Sequence, residues 1–341
     1  MEFENRRESY FWLLDVLDIY KPVVWEYSRL NILHNVLSKR KLLVMVNDGH
    51  VRGWDDPRML TINGLRRRGY TASILRDFCN RVGVTRKDNF ISPLLLEACA
   101  RDELNTSCSR AMAVVKPLKI VLTNYKGDGE DVLCPDFPQN PNGPEHAVRF
   151  TKIVYIDADD FRSGQSGNKN FYGLTEGKTV RLKWAYNVRC TKVVYGEGED
   201  DEKVIDHLEC EYDPDRSKKV KKGHLTWVSG DGVQAEFRLY DHLFSEAKPG
   251  GDDWLKQINM DSEQLHMGMV DKYVVDTMKE KGKYQFERCG YFVVDKDSET
   301  YGHPVFNRIV TLNEATKRAA KKPSAKTSAK KPRAPKKKGK K

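Results

Sequence analysis

The chain has 341 residues, 39% hydrophobic and 32% charged, more than one ordinary domain and enough for two or three compact units with a large wetted surface. Its formal charge of +10 is concentrated: residues 317–341 hold thirteen Lys or Arg and no acid, so the remainder is near neutral and any nucleic-acid surface there must be built from local patches. No apolar run is long enough to span a bilayer, no apolar h-region follows Met1–Arg7, and the seven cysteines and eight histidines form no C-x-x-C, H-x-H or H-x-x-x-H pair, which leaves a cytoplasmic protein with reduced thiols and no structural metal as the expectation.

In chain order, Arg7–Tyr20 carries apolar residues at helical spacing and stops at Lys21-Pro22, predicting an amphipathic helix followed by a short buried strand and turn. From about Asn31 to Asn105 the character is helical. Asp56-Pro57 reads as the N-cap and first-turn proline of a helix that closes after Arg68 at Gly69. Thr71 caps the next helix, and Ser92-Pro93 opens a third. Beyond about Cys108 the pattern changes to short runs rich in Val, Ile, Tyr and Phe, at 119–125, 148–157, 179–188, 236–244 and 284–295, separated by Gly, Pro, Asn and Asp clusters. That spacing predicts β-barrels. Pro135–Pro144 and Gly196–Lys203 read as hairpin connections or surface excursions. The last segment mixes Lys, Ala, Pro and Ser without an apolar face and is expected to be a disordered basic tail. The fold class is α+β and multidomain.

Four strings carry more than patterning. Ser38 precedes three consecutive cations, Lys39, Arg40 and Lys41; such a run taken alone is usually a solvated face. Gly53-Trp54-Asp55-Asp56-Pro57-Arg58 is followed by Leu65-Arg66-Arg67-Arg68-Gly69. Capping accounts for Asp56 and Pro57, and three arginines in a last helical turn either complement the helix dipole or contact phosphate. Arg110-Ala111-Met112-Ala113-Val114 is the third string. The fourth is Tyr284-Gln285-Phe286-Glu287-Arg288, continued by Gly290-Tyr291-Phe292 and Val305-Phe306-Asn307-Arg308.

Together these strings resemble the C-terminal portion of the glutaminyl-tRNA synthetases, in the glutaminyl/glutamyl subgroup of the class I aminoacyl-tRNA synthetases, over residues 1 to about 312. The resemblance implies the end of a Rossmann-type catalytic domain at 1–30 and the SKR-motif loop with a helical subdomain at 31–108. It implies a proximal anticodon-binding β-barrel split between 109–166 and 250–312, a distal barrel at 167–249, and the disordered Lys-rich tail at 313–341. The activity implied is that of a glutamine-tRNA ligase, with ATP, glutamine and its cognate tRNA as substrates and Mg2+ accompanying ATP. Adenylate formation spreads negative charge over the α-phosphate, and the Lys39 ammonium is the expected catalytic group, with Ser38 and Arg40 as further ATP contacts. Leu37 replaces the family methionine at similar volume. Arg110 and Gln285 match the readers of splayed anticodon bases, with Arg181, Lys183 and Arg288 as further contacts, because single-stranded bases expose edges that planar donor–acceptor side chains can pair. Arg66, Arg67 and Arg68 are candidates for tRNA phosphate. Bacterial members carry Lys-Arg where this chain has Tyr172-Gly173, which leaves the third anticodon base without its usual cation. Arg6 and Arg7 either touch the acceptor end or are an exposed charged terminus. The family's HIGH motif and glutamine pocket do not occur in this sequence, so the isolated chain is expected to bind tRNA without activating glutamine. Two alternatives stay open: a glutamyl-tRNA synthetase, and a non-catalytic RNA-binding protein. The tail is open to three roles: nonspecific tRNA affinity, tethering to other synthetases in a complex, or a nuclear address.

Overall fold

A computed structural model of the protein describes residues 4–164, 171–197, 203–220 and 223–313. All of the expected tail at 313–341 beyond Asn313, and the middle of the Gly196–Lys203 segment, lie outside the described residues.

The N-terminal unit is built from α1 (Arg7–Val16), β1 (Leu30–Ile32), α2 (Lys39–Asn47), α3 (Ile62–Arg68), α4 (Ala72–Val82), β2 (Asn89–Ile91) and α5 (Pro93–Ser107). Helix α1 stops short of Tyr20 because Asp18 turns into the left-handed region at φ 48°. Strands β1 and β2 pair in parallel. Asp56 is not a helix cap. Its buried carboxylate accepts the backbone N–H groups of Arg52 (3.0 Å) and Arg58 (2.9 Å) and two bonds from the Arg58 guanidinium, closing a tight turn. The cap of α3 is Thr61, whose hydroxyl accepts from Gly64 N at 2.9 Å. A Cβ on Gly64 would come within 2.5 Å of the Asp56 carbonyl, so glycine is what lets the turn lie against the helix. At the other end Gly69 terminates α3 at φ 103°, as its sequence position predicts. Thr71 caps α4 and Ser92-Pro93 opens α5, again as expected.

The remainder is mostly β-structure: β3 (Ser109–Ala111), β4 (Ala113–Val114), β5 (Pro117–Leu122), β6 (Glu130–Pro135), β7 (Glu145–Phe150), β8 (Ile153–Asp157), β9 (Thr179–Leu182), β10 (Asn187–Glu197), β11 (Lys203–Asp213), β12 (His224–Leu225) and β13 (Trp227–Ser229). It continues with β14 (Val233–Tyr240), β15 (Glu263–Val270), α6 (Lys272–Lys281), β16 (Lys283–Phe286), β17 (Gly290–Val294), α7 (Asp297–Tyr301) and β18 (Val305–Val310). Two barrel-like seven-stranded sheets result, ordered β12-β9-β10-β11-β5-β8-β13 and β3-β16-β17-β18-β14-β15-β4. The first closes around Trp227, Phe150, Ile120 and Leu208; the second around Phe237, Phe286, Phe292 and Phe306.

The division between the sheets differs from the expected boundaries at 166 and 249. Strands β5 and β8 belong with β9–β13, because Leu118, Ile120 and Leu122 alternate inward onto the Trp227 core and β5 pairs with β11. Only β3 and β4 precede the first sheet as parts of the second, and the second resumes at Val233. Pro135–Pro144 connects the β6–β7 hairpin, as read from the sequence.

The N-terminal unit does not stand apart. Tyr291, Ile309 and Val310 of the second sheet complete the core formed by Ile74, Phe78, Ala100 and Leu104. Leu243 and Phe244, from the excursion between β14 and β15, pack on Val36 and Met45 around α2. Among the described residues no helix is long and apolar enough to cross a membrane.

Candidate nucleic-acid interface

Arg110 and Gln285, 175 residues apart in the chain, are direct register partners because edge strand β3 pairs in parallel with β16. Alternation buries Tyr284 and Phe286 and leaves Gln285 half-buried between them. The Gln285 Oε1 is enclosed and, among the described residues, has no hydrogen-bond partner. Arg110 is engaged. Its guanidinium donates to Asn105 O (2.8 Å), Cys108 O (3.2 Å) and Asn105 Oδ1 (2.8 Å), closing the end of α5, and the residue is 8% exposed.

The turn after β16 faces the first sheet. Glu287, buried, accepts from Lys183 Nζ and from Trp184 Nε1 (3.4 Å), while Arg288 makes a bidentate pair with Asp160 at 2.6 and 2.6 Å. Burial works against the Arg288 charge, but the Asp160 carboxylate outweighs it and raises the guanidinium pKa. Lys183 Nζ also lies 5.2 Å from the Trp184 ring centre. Arg181 donates to Arg216 O (3.0 Å) and, at 3.4 Å, to Asn187 Oδ1 and Lys218 O. Beside this cluster the Phe171 ring lies between the Arg162 guanidinium (4.3 Å) and Lys178 Nζ (5.6 Å). A Cβ on Gly173 would fall 2.2 Å from Asp160 O, so the backbone itself fills the place next to the exposed Tyr172.

Behind Arg110 lies a polar cluster that sequence reasoning missed. Asp136 O accepts from Arg110 N at 2.8 Å, and the Asp136 carboxylate binds His146 Nδ1 (2.6 Å), Tyr273 Oη (2.9 Å) and Lys281 Nζ (2.6 Å). Burial alone would raise the Asp136 pKa; Lys281, His146 and Tyr273 together bring it below the ordinary carboxylate range. These residues come from β7, α6 and the segment after β6, so no local string signals them. Glu287, by contrast, sits inside the Tyr284–Arg288 string.

The SKR segment lies on the N-terminal unit. Ser38 is at the N-cap position of α2 without a side-chain cap bond, and Lys39 and Arg40 are exposed. Among the described residues neither cation has a partner. Ser38 and Lys41 line a cavity of about 260 Å3 together with Arg29, Asn35 and Lys248, with no carboxylate in its wall. The triple arginine divides. Arg67, with its side chain 11% exposed, pairs with Asp295 (2.9 Å), Asp297 (2.8 Å) and Asp55 (3.3 Å) and pins α3 to the second sheet. Arg68 donates to Ile309 O (3.3 Å) and stacks 5.3 Å from the Tyr240 ring centre. Only Arg66 projects to solvent. Arg7 is held by Glu26 at 2.9 Å. The structure thus gathers Arg110, Gln285, Lys183 and Arg288 around one turn, and leaves the SKR segment and Arg66 on the other unit. Among the described residues no group of three or more His, Cys, Asp or Glu side chains is placed to hold a metal.

Comparison with known proteins covers most of the chain. The family described as tRNA synthetases class I (E and Q), catalytic domain, matches residues 1–106, and two anti-codon binding domain families of the same class match 108–213 and 224–295. The chain is 47% identical over 322 residues to a probable glutamine–tRNA ligase of Dictyostelium discoideum, covering 92% of this chain and 40% of that protein. It is 43% identical over 330 residues to a cytoplasmic glutamine–tRNA ligase of Arabidopsis thaliana, with 92% and 40% covered, and 44% identical over 323 residues to a glutamine–tRNA ligase of Shigella boydii, with 92% and 57% covered. It therefore spans about half the length of the curated relatives it matches.

Proposed function

The chain belongs to the class I (E and Q) tRNA synthetases, and from that premise we propose that it supplies the tRNA-gripping and anticodon-reading part of a cytoplasmic glutamine–tRNA ligase. The observation that carries the reading is the register pairing of Arg110 with Gln285 on a barrel edge of a chain whose relatives are named for glutamine. Gln285, half-buried on β16, carries a planar amide of the kind that pairs a splayed base edge. Arg110 acts differently from the expectation: anchored to Asn105, it fixes β3 beside Gln285 and offers a base only what its three internal bonds leave free. Lys183, Arg181 and Arg288 contribute positive charge around the same turn. Of the three arginines of α3, Arg66 alone is proposed as a phosphate contact, since Arg67 and Arg68 are committed to the second sheet.

In the complete enzyme Lys39, unpaired at the start of α2, would place its ammonium where charge develops on the α-phosphate of ATP, with Ser38 and Arg40 as neighbouring phosphate contacts. Mg2+ is expected to accompany ATP, held largely by its phosphates. Residues 1–30 are proposed as the end of the Rossmann-type catalytic domain. The exposure of Trp12, Val16, Tyr20, Val23 and Trp25 fits a face that further protein covers. The chain alone would bind tRNA without completing adenylate formation.

The test is a binding titration of the purified chain against the tRNA for glutamine and an anticodon-altered copy, at two salt concentrations. Preference for the native anticodon, lost in Gln285→Ala with unchanged thermal stability, is the expected result. Equal, salt-sensitive binding to both RNAs would overturn it in favour of nonspecific capture by the basic tail.

A further inference from the structure

Four charged groups around the turn after β16 form two ion pairs that cross between the sheets in opposite senses. Lys183 of the first sheet meets Glu287 of the second, and Arg288 of the second meets Asp160, which follows β8 of the first. Both crossings hinge on residues in the left-handed region: Trp184 at φ 65°, adjacent to Lys183, and Arg288 itself at φ 64°. Non-glycine residues in that region are strained and persist where surrounding contacts hold them, often at ligand clamps. Neither pair is needed to fill a core, since each sheet closes around its own aromatics.

We infer that Asp160 and Glu287 are positioning residues, carboxylates that stand in for RNA: they hold Arg288 and Lys183 in place across the sheet junction and are exchanged for RNA phosphate or base acceptors on binding. The inference rests on the anticodon-reading proposal. Its chemistry is that of an internal competitor. A bidentate guanidinium–carboxylate pair has the same fork geometry as a guanidinium–phosphate pair, and Lys183 donates to a carboxylate oxygen as it would to a phosphate oxygen or a base carbonyl. The clasp keeps two cations ordered before RNA arrives, which lowers the ordering cost of binding, and it imposes a competition that an RNA able to replace both acceptors overcomes. Asp160 also anchors the 171–174 segment through its backbone, where Leu174 N donates to Asp160 O at 2.8 Å. A change confined to its carboxylate leaves that bond in place.

The experiment uses the full chain, with the tRNA for glutamine as probe and rapid-mixing measurement of association and dissociation. Asp160→Asn keeps the shape and the backbone bond while removing the competing charge. It is expected to tighten RNA binding by about fivefold, the scale of one partly exposed ion pair, chiefly through faster association. Combining it with Arg288→Ala should erase that gain. Glu287→Gln, which frees Lys183, gives a second reading should Asp160→Asn lower the yield of folded protein. If both variants bind RNA no more tightly than the parent, while Arg288→Ala and Lys183→Ala weaken binding, the carboxylates are structural and the inference is overturned. If Arg288→Ala and Lys183→Ala leave RNA binding untouched while Gln285→Ala still abolishes anticodon preference, the inference fails and the anticodon-reading proposal stands; if Gln285→Ala leaves that preference intact as well, both fail.

Discussion

Arg110 and Arg67 are both strings-derived candidates for RNA contact, and both are absorbed by the protein. Arg110→Ala removes three hydrogen bonds and exposes the end of α5, so it should lower stability by about 2–3 kcal/mol in urea unfolding, whereas Gln285→Ala should not. Arg67→Ala strands Asp295, whose side chain is fully buried, and should cost about 3–5 kcal/mol. Burial works against ionisation of Asp295, but the Arg67 bonds, the Asp297 backbone N–H and the Arg67 charge prevail and hold its carboxyl down to about 2. Its folded pKa lies below the unfolded value of about 3.9. The stabilisation is therefore complete above about pH 4 and is lost as pH falls toward 2. Unfolding followed against pH should show that acid-side loss in the parent, and Arg67→Ala, which removes the pairing that lowers the Asp295 pKa, should diminish it.

At the scale of elements, punctuation was legible and pairing was not. Thr71, Ser92-Pro93 and Gly69 each mark a helix end through a contact within a few residues, so a local reading finds them. Gly69→Ala tests the last of these. A Cβ there must accept φ 103° and sit 2.7 Å from the Ile309 side chain, so calorimetry should find the variant destabilised by about 1–3 kcal/mol. Asp56-Pro57 carries the same kind of mark and misleads, because the carboxylate is claimed by Arg52 and Arg58 and the helix waits for Thr61. The strand runs were visible as Val, Ile, Tyr and Phe clusters, yet their assignment to sheets was not. Nothing in 117–122 says that it pairs with 207–210 rather than with the later barrel. The site divides in the same way. Gln285 is marked by a string, while Asp136, His146 and Lys281, which gather behind Arg110 from three separate elements, leave no local trace.

For the whole molecule, charge and core are distributed unequally. The thirteen cations of 317–341 act through ion release, so removing them should flatten the dependence of log K on log salt in tRNA titrations while anticodon preference persists. Loss of preference as well would mean that the readers are wrongly assigned. The body, with its near balance of signs, leaves selectivity to the few groups around the turn after β16. The shared core of α2 with Leu243 and Phe244 joins the SKR segment to the second sheet, so the two proposed working regions rest on one continuous framework.

The nesting of one sheet inside the other has a consequence for biosynthesis. Ser109–Ala111 emerges early, but its partner Tyr284–Phe286 follows about 175 residues later, and at roughly 5–20 residues per second on the ribosome that interval is on the order of ten seconds or more. The first sheet, complete by Ser229, can close during this wait; the second cannot. The strand that carries Arg110 therefore waits without its β16 partner throughout that interval, an open edge of the kind that invites pairing with another chain.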